Sequence, residues 1–257
     1  MSEELQKIEE LEKEIRRLKG LDNNVIPTYS FSKIRDIELN KLFNIEKKIN
    51  NTLFDNWFNS KIEIEEKKEH VLKEIISENS ALIADYNEED LKINVIAPLL
   101  GLVKFKSFEN EFRDFYELPL CYKTDRFILN GTTDFVVSKG LFKSKKPYFF
   151  IQEFKRAEEF SNPRPQLLAE LISAVELNNE EIMKGAYIVG ENWNFVILEK
   201  LGVDSYQYVV SRTFNCTNIE DLKDIYKHLV FVKNEIVSII CSEDLKQNMK
   251  GEKAPKS

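Results

Sequence analysis

The order of patterns along the chain predicts a mixed α/β domain, a central mixed sheet flanked by helices, with an N-terminal helical extension. Three observations carry this prediction. Apolar residues recur at three- and four-residue steps through the first third of the chain. Runs of β-branched and aromatic residues separated by turn signals come next. Two further helical patterns interrupt and then close the strand-forming part.

Residues 1–20 read as a helix, with Ile8, Leu11, Ile15 and Leu18 among Glu, Lys and Arg, long enough for a short coiled coil or a strut. The stretch GLDNNVIP breaks that pattern, and helical periodicity returns in SFSKIRDIELNKLFNIEKKINNTLFDNWF and in the charged segment from Lys61 to Leu82. The first region is therefore set at 1–82, helical and without evident chemistry. The second, 83–242, opens with NEEDLKINVIAPLLGLVKF, where Leu91, Val95 and Leu99 share a stripe and Asn87 is placed to start the helix. NEFRDFYELPLCYKTDRFILNGTTDFVVS and PYFFIQEFKRA supply strands, joined by KGLFKSKK as an exposed hairpin loop. NPRPQLLAELISAVELNN is helical, with Pro165 suited to a first turn. GAYIVG, WNFVILEK and YQYVVSRTF add three strands, a helix from about Asn218 to Ile240 closes the domain, and 243–257 reads as a disordered polar tail.

Composition narrows the class. The chain has 257 residues, and its start, MSEELQKIEE, is acidic rather than the basic start of a signal peptide. The longest mostly apolar run, Val95 to Val103, is too short to span a bilayer and holds Pro98 and Gly101. Cys121, Cys216 and Cys241 show no metal or redox spacing, which fits reduced thiols in a cytoplasmic protein. A net charge of −7 argues against a broad electrostatic grip on nucleic acid. It leaves room for a carboxylate site, which is acidic until a cation binds. No Gly-rich phosphate loop of the G-x-x-x-x-G-K-[ST] kind occurs, which argues against a nucleotide hydrolase or a motor.

The chemistry-bearing residues lie on two adjacent strand patterns. Side chains two apart on a strand share a face, so Glu153 and Lys155 project together, opposite Gln152 and Phe154. If the strand bearing Asp134 pairs with theirs as a hairpin, two carboxylates and an ammonium meet. Burying such charges is costly unless they compensate one another or hold an ion. Two acids with free oxygen valences suit Mg²⁺ or Mn²⁺. A cation held by Asp134 and Glu153, with Lys155 beside it, is the kind of electrostatic site that phosphodiester hydrolysis requires.

Asp134, Glu153-Phe154-Lys155 and the helix beginning PQLLAE resemble the PD-(D/E)XK nuclease superfamily, and most of all the nuclease domains of type I restriction enzyme R subunits and small related bacterial proteins. The resemblance covers roughly residues 85 to 215. It implies a restriction-endonuclease-like fold and a Mg²⁺- or Mn²⁺-dependent endonuclease acting on nucleic acid, DNA foremost, in restriction or phage defence. Asp134 and Glu153 would bind metal, Lys155 would assist the attacking water, and Gln166 would orient the lysine or touch substrate. NEEDLKINVIAPLL resembles the helix that brings a further acid to the metal, and the spacing favours Glu88. Thr133 stands where the family pattern has proline, and the eighteen residues between Asp134 and Glu153 are a long separation that the basic hairpin must absorb.

Plainer readings stand beside these. Asp134, Glu153 and Lys155 could form a cross-strand salt bridge on an exposed face. Glu88 could be an acid favoured by the helix dipole, and Gln166 a solvent-facing residue at a helix start. Glu170 reads as part of a solvated helix face. Lys139, Lys143, Lys145 and Lys146 in the hairpin, and Arg156 and Arg164 beside the acids, are either phosphate contacts or ordinary surface cations. Trp193 and Phe195 read as core. His70 and His228 lack partners at ligand spacing. A second function class also fits: a nuclease-like fold without activity, serving as a binding or assembly module that acts through its N-terminal helices, which could also make a homodimer.

Overall fold

The computed structural model describes residues 26–49, 51–155 and 162–251, apart from the side chains of 51 and 243–251. The 1–20 helix, Arg156 and the end of the tail lie outside those residues. In chain order the elements are β1 (Thr28–Ser30), α1 (Asp36–Leu42), β2 (Asn44–Lys47), α2 (Asp55–Phe58), α3 (Glu66–Asn79) and α4 (Glu88–Leu91). A π turn (Lys92–Ile96) joins α4 to α5 (Ala97–Val103), and β3 (Lys106–Ser107), β4 (Phe112–Lys123), β5 (Ile128–Lys139) and β6 (Lys145–Lys155) follow. Then come α6 (Pro163–Asn178), β7 (Ile182–Val189), β8 (Asn192–Gly202), β9 (Ser205–Val210), β10 (Phe214–Asn215) and α7 (Ile219–Gly251). The last helix thus runs past Ile240, where its apolar stripe ends.

The main path of the sheet is β2-β9-β8-β7-β6-β5-β4-β3, with β1 against β5 and β10 against β8. β4, β5 and β6 form one antiparallel meander and β7, β8 and β9 another. β6 and β7 are parallel, so the chain must cross over between them, and α6 makes that crossing. The protein is therefore α/β with a large mixed sheet between helices. The alternation along β6 sorts its side chains into two cores. Phe150 and Phe154 pack with Leu99, Phe195, Leu222 and Leu229 under α3, α5 and α7, while Ile151 packs with Leu167, Leu171 and Val196 under α6.

The first third differs from its helical reading. β1 pairs in parallel with the start of β5, and β2 in parallel with β9, so two short strands of this region belong to the sheet. Between them Phe31, Ile34 and Leu39 are buried in the same cluster as Leu168 and Ile172, so this segment covers the outer side of α6. On the other face Trp57 donates from Nε1 to the His228 carbonyl at 2.8 Å. His228 stacks on Phe58, and burial, with Arg212 and Lys227 nearby, pushes its pKa down to about 3. The three cysteines are free thiols, and no helix among the described residues is long and apolar enough to cross a membrane.

Candidate active site

β5 and β6 come together and then part. Their ladder ends at the Phe135–Gln152 pair, while β6 remains paired with β7 through Lys155. Asp134 and Glu153 are the next residues beyond the last rung, so the site sits in the fork. The Phe154 N–H, no longer served by β5 backbone, donates instead to Asp134 Oδ2 at 2.8 Å. One carboxylate thus closes the sheet at its fork and is fixed in place by doing so.

Lys155 fills the fork. Its Nζ donates to Glu153 Oε1 at 2.6 Å and to the Phe154 carbonyl at 2.8 Å, and lies 3.8 Å from Asp134 Oδ2 and 3.9 Å from Glu88 Oε2. The three residues singled out on the two strands do converge, and Glu88 joins them from α4. Asn87 caps that helix, accepting from the Asp90 N–H at 2.9 Å, as its position predicts.

Glu153 is wholly buried, and its Oε2 has no hydrogen-bond partner. Burial first, and the negative charge of Asp134 second, push its pKa up to about 8. Burial works against the charge on Lys155, but Glu153, Asp134 and Glu88 outweigh it and hold its pKa above the usual lysine value. The two directions conflict across one contact, since a raised lysine speaks for an ion pair and a raised acid for a neutral one. The burial of Glu153 decides in favour of a proton-retaining acid, because Lys155 keeps Asp134 and Glu88 as further counter-charges.

Glu170, Lys92 and Glu117 belong to the site although the sequence reading places none of them there. Glu170 is fully buried, not on a solvated face, because it lies on the side of α6 turned toward Glu153 and Asp134 of the fork. Its carboxyl is held well above the usual range by burial and then by the charge of Glu153, and its Oε2 is also unpartnered. Gln166, nearly buried, donates from Nε2 to Glu170 Oε1 at 3.1 Å, so its amide serves this acid and not Lys155. Lys92 reaches Glu88 Oε1 at 3.0 Å, Glu89 Oε1 at 3.5 Å, Asp134 Oδ1 at 3.6 Å and Glu117 Oε1 at 3.7 Å. It opens the π turn, where the Asn94 amide donates to the Asp90 carbonyl. π turns of this kind are frequent at functional sites. Glu117 reaches Lys92 from β4, where its φ is 48° and it stands at the register position opposite Asp134, between the Tyr116–Phe135 and Leu118–Thr133 pairs.

The basic candidates among the described residues stand apart from this group. Lys143, Lys145 and Lys146 are exposed around the hairpin tip, and the five strand residues from Asp134 to Lys139 set that end about 16 Å away. Arg164, at the start of α6, is paired with Asp36 of α1.

Asp134, Glu153 and Glu88 offer carboxylate oxygens, the donor type that hard divalent cations take, and no donor reaches the buried Oε2 of Glu153. The acids are at present gathered around ammonium groups instead. Among the described residues no three His, Cys, Asp or Glu side chains are grouped so as to hold a metal ion. Comparison of the chain with protein-family models and with curated proteins returned no match.

Proposed function

We propose that the protein is a Mg²⁺- or Mn²⁺-dependent nuclease, with DNA as its foremost substrate and a restriction-endonuclease-like architecture. The observation that carries this reading is the meeting of Asp134, Glu153 and Lys155 at the β5–β6 fork, where one buried carboxylate oxygen lacks a partner. Asp134 and Glu153 would hold the ion, with Glu88 and the Phe154 carbonyl as further oxygen donors. The bound ion supplies Lewis-acid stabilisation of charge on the scissile phosphate. Lys155, kept as an ammonium by its neighbours, donates hydrogen bonds: it orients the attacking water and stabilises the charge that builds on phosphorus. In that form it takes up no proton, so the proton of the water passes to a carboxylate of the cluster. A bond from the water oxygen to phosphorus forms as the P–O ester bond breaks, and the leaving oxygen takes a proton from solvent, leaving a phosphate monoester and a hydroxyl. Restriction or phage defence is the setting that the resemblance suggests.

The direct test is cleavage of plasmid and single-stranded DNA with Mg²⁺ or Mn²⁺. Activity lost in Glu153→Ala and Lys155→Ala is the expected result. Activity that survives both substitutions, or is absent with every metal and substrate, overturns the reading.

One observation favours a second reading, that of a binding or assembly module. Both lysines are already engaged by the acids, so the site is internally compensated without a cation. On that reading Mn²⁺ leaves the melting temperature unchanged, and deletion of residues 1–20 abolishes self-association or partner capture. On the nuclease reading Mn²⁺ raises the melting temperature.

A further inference from the structure

We propose that Lys92 is a tethered counter-cation of the metal site, holding the place between Glu88 and Asp134 that a divalent ion must take over. The inference rests on the metal-dependent reading above. Lys92 Nζ is 3.0 Å from Glu88 Oε1 and 3.6 Å from Asp134 Oδ1. Lys155 Nζ approaches the other oxygen of each acid, 3.9 Å from Glu88 Oε2 and 3.8 Å from Asp134 Oδ2. Each acid is thus shared by two ammonium groups on opposite sides. Lys155 also grips Glu153 and the Phe154 carbonyl, and so belongs to the floor of the fork. Lys92 comes from the helix side and has no such anchor there.

A separate observation points to a ligand at the same place. Glu153, wholly buried, keeps Oε2 without a hydrogen bond from either ammonium group of the cluster. A cation drawn to that oxygen and to Asp134 comes close to the Lys92 ammonium, and like charges a few ångströms apart repel strongly. Lys92 has somewhere to go. Glu89 and Glu117 lie 3.5 and 3.7 Å from its Nζ on the more open side, with both carboxylates largely exposed. A small movement of the side chain trades Asp134 for these two acids and keeps the ammonium paired. The π turn that begins at Lys92 is the local backbone feature that sets its reach.

The role predicts an effect of opposite sign to that of a ligand. Removing the charge with Lys92→Gln should tighten Mn²⁺ binding, on the order of tenfold or more for a unit charge this close. Lys92→Arg, which keeps the charge, should stay near the wild-type affinity, and Asp134→Asn should abolish binding. Titration calorimetry with Mn²⁺ alone reads all four proteins, with metal-free thermal melts to verify folding; Lys92→Met serves if Lys92→Gln unfolds. If the wild type binds Mn²⁺ and loss of the Lys92 charge leaves the affinity equal or weaker, the Lys92 proposal falls while the metal reading stands. If neither the wild type nor the uncharged variants bind, both fall. Binding seen only after the charge is removed supports the displacement most directly.

Discussion

Glu153→Gln tests the electrostatics of the fork without reference to activity. The native carboxyl, its pKa pushed up to about 8, retains its proton well above the pH near 4.5 at which the unfolded chain releases it. Between those limits the native state binds more protons than the unfolded one, so the contribution of Glu153 to stability is complete below pH 4.5 and is lost as pH rises to 8. Each pH unit in that window costs about 1.4 kcal/mol. Raising the pH from 5.5 to 7.5 should therefore destabilise the wild type by roughly 2–3 kcal/mol more than Glu153→Gln, in which the neutral amide imitates the protonated acid. Removing the Glu153 charge also relieves Glu170, whose shift it feeds, and so acts in the same direction. The assay is urea unfolding of both proteins in metal-free buffer at the two pH values. Parallel losses in the two proteins would mean that Glu153 is ionised throughout, and that its burial does not govern the site.

Other expectations follow from the scaffold. His228 is neutral in the fold down to about pH 3, while the unfolded chain takes up its proton near 6.5; stability should fall as the pH drops below 6.5, and urea titrations of His228→Gln should show a shallower acid limb. Asn162 caps α6 by accepting from the Arg164 N–H, so Asn162→Ala should cost about 1 kcal/mol in chemical denaturation, with no loss a sign that the cap is dispensable. A Cβ at Gly185 would come 2.8 Å from the Ile151 carbonyl and 3.0 Å from Leu171 Cδ2, so Gly185→Ala should destabilise by roughly 1–3 kcal/mol; an unchanged denaturation midpoint would show that β7 and α6 can separate at little cost.

The strand chemistry is legible in the sequence because period 2 leaves little freedom. Once GTTDFVVS and FFIQEFK form one hairpin, Glu153 and Lys155 must share a face, and Asp134 can meet them. Glu88 is legible for a similar reason, through its place on the stripe with Leu91 and Val95. Lys92 is not, because a π turn alters the angular spacing of side chains, and nothing in KINVI announces one. Glu170 does leave a trace: LLAELISAV is apolar on nearly every side, the mark of a helix covered on both faces, and an acid inside such a run is destined for burial. β1 and β2 have only three and four residues, and their partners are far along the chain, so no local pattern distinguishes them from the helices around them.

The parallel pairing of β2 with β9 also constrains how the chain matures. The amide of Asn44 bonds to the hydroxyl of Ser205 across 161 positions, so β2 leaves the ribosome long before the edge it joins has been made. Non-local pairing of this kind forms late and slowly. During synthesis, Phe31, Ile34 and Leu39 must wait uncovered until β5 and α6 have been made, and β2 stays unpaired until β9 follows.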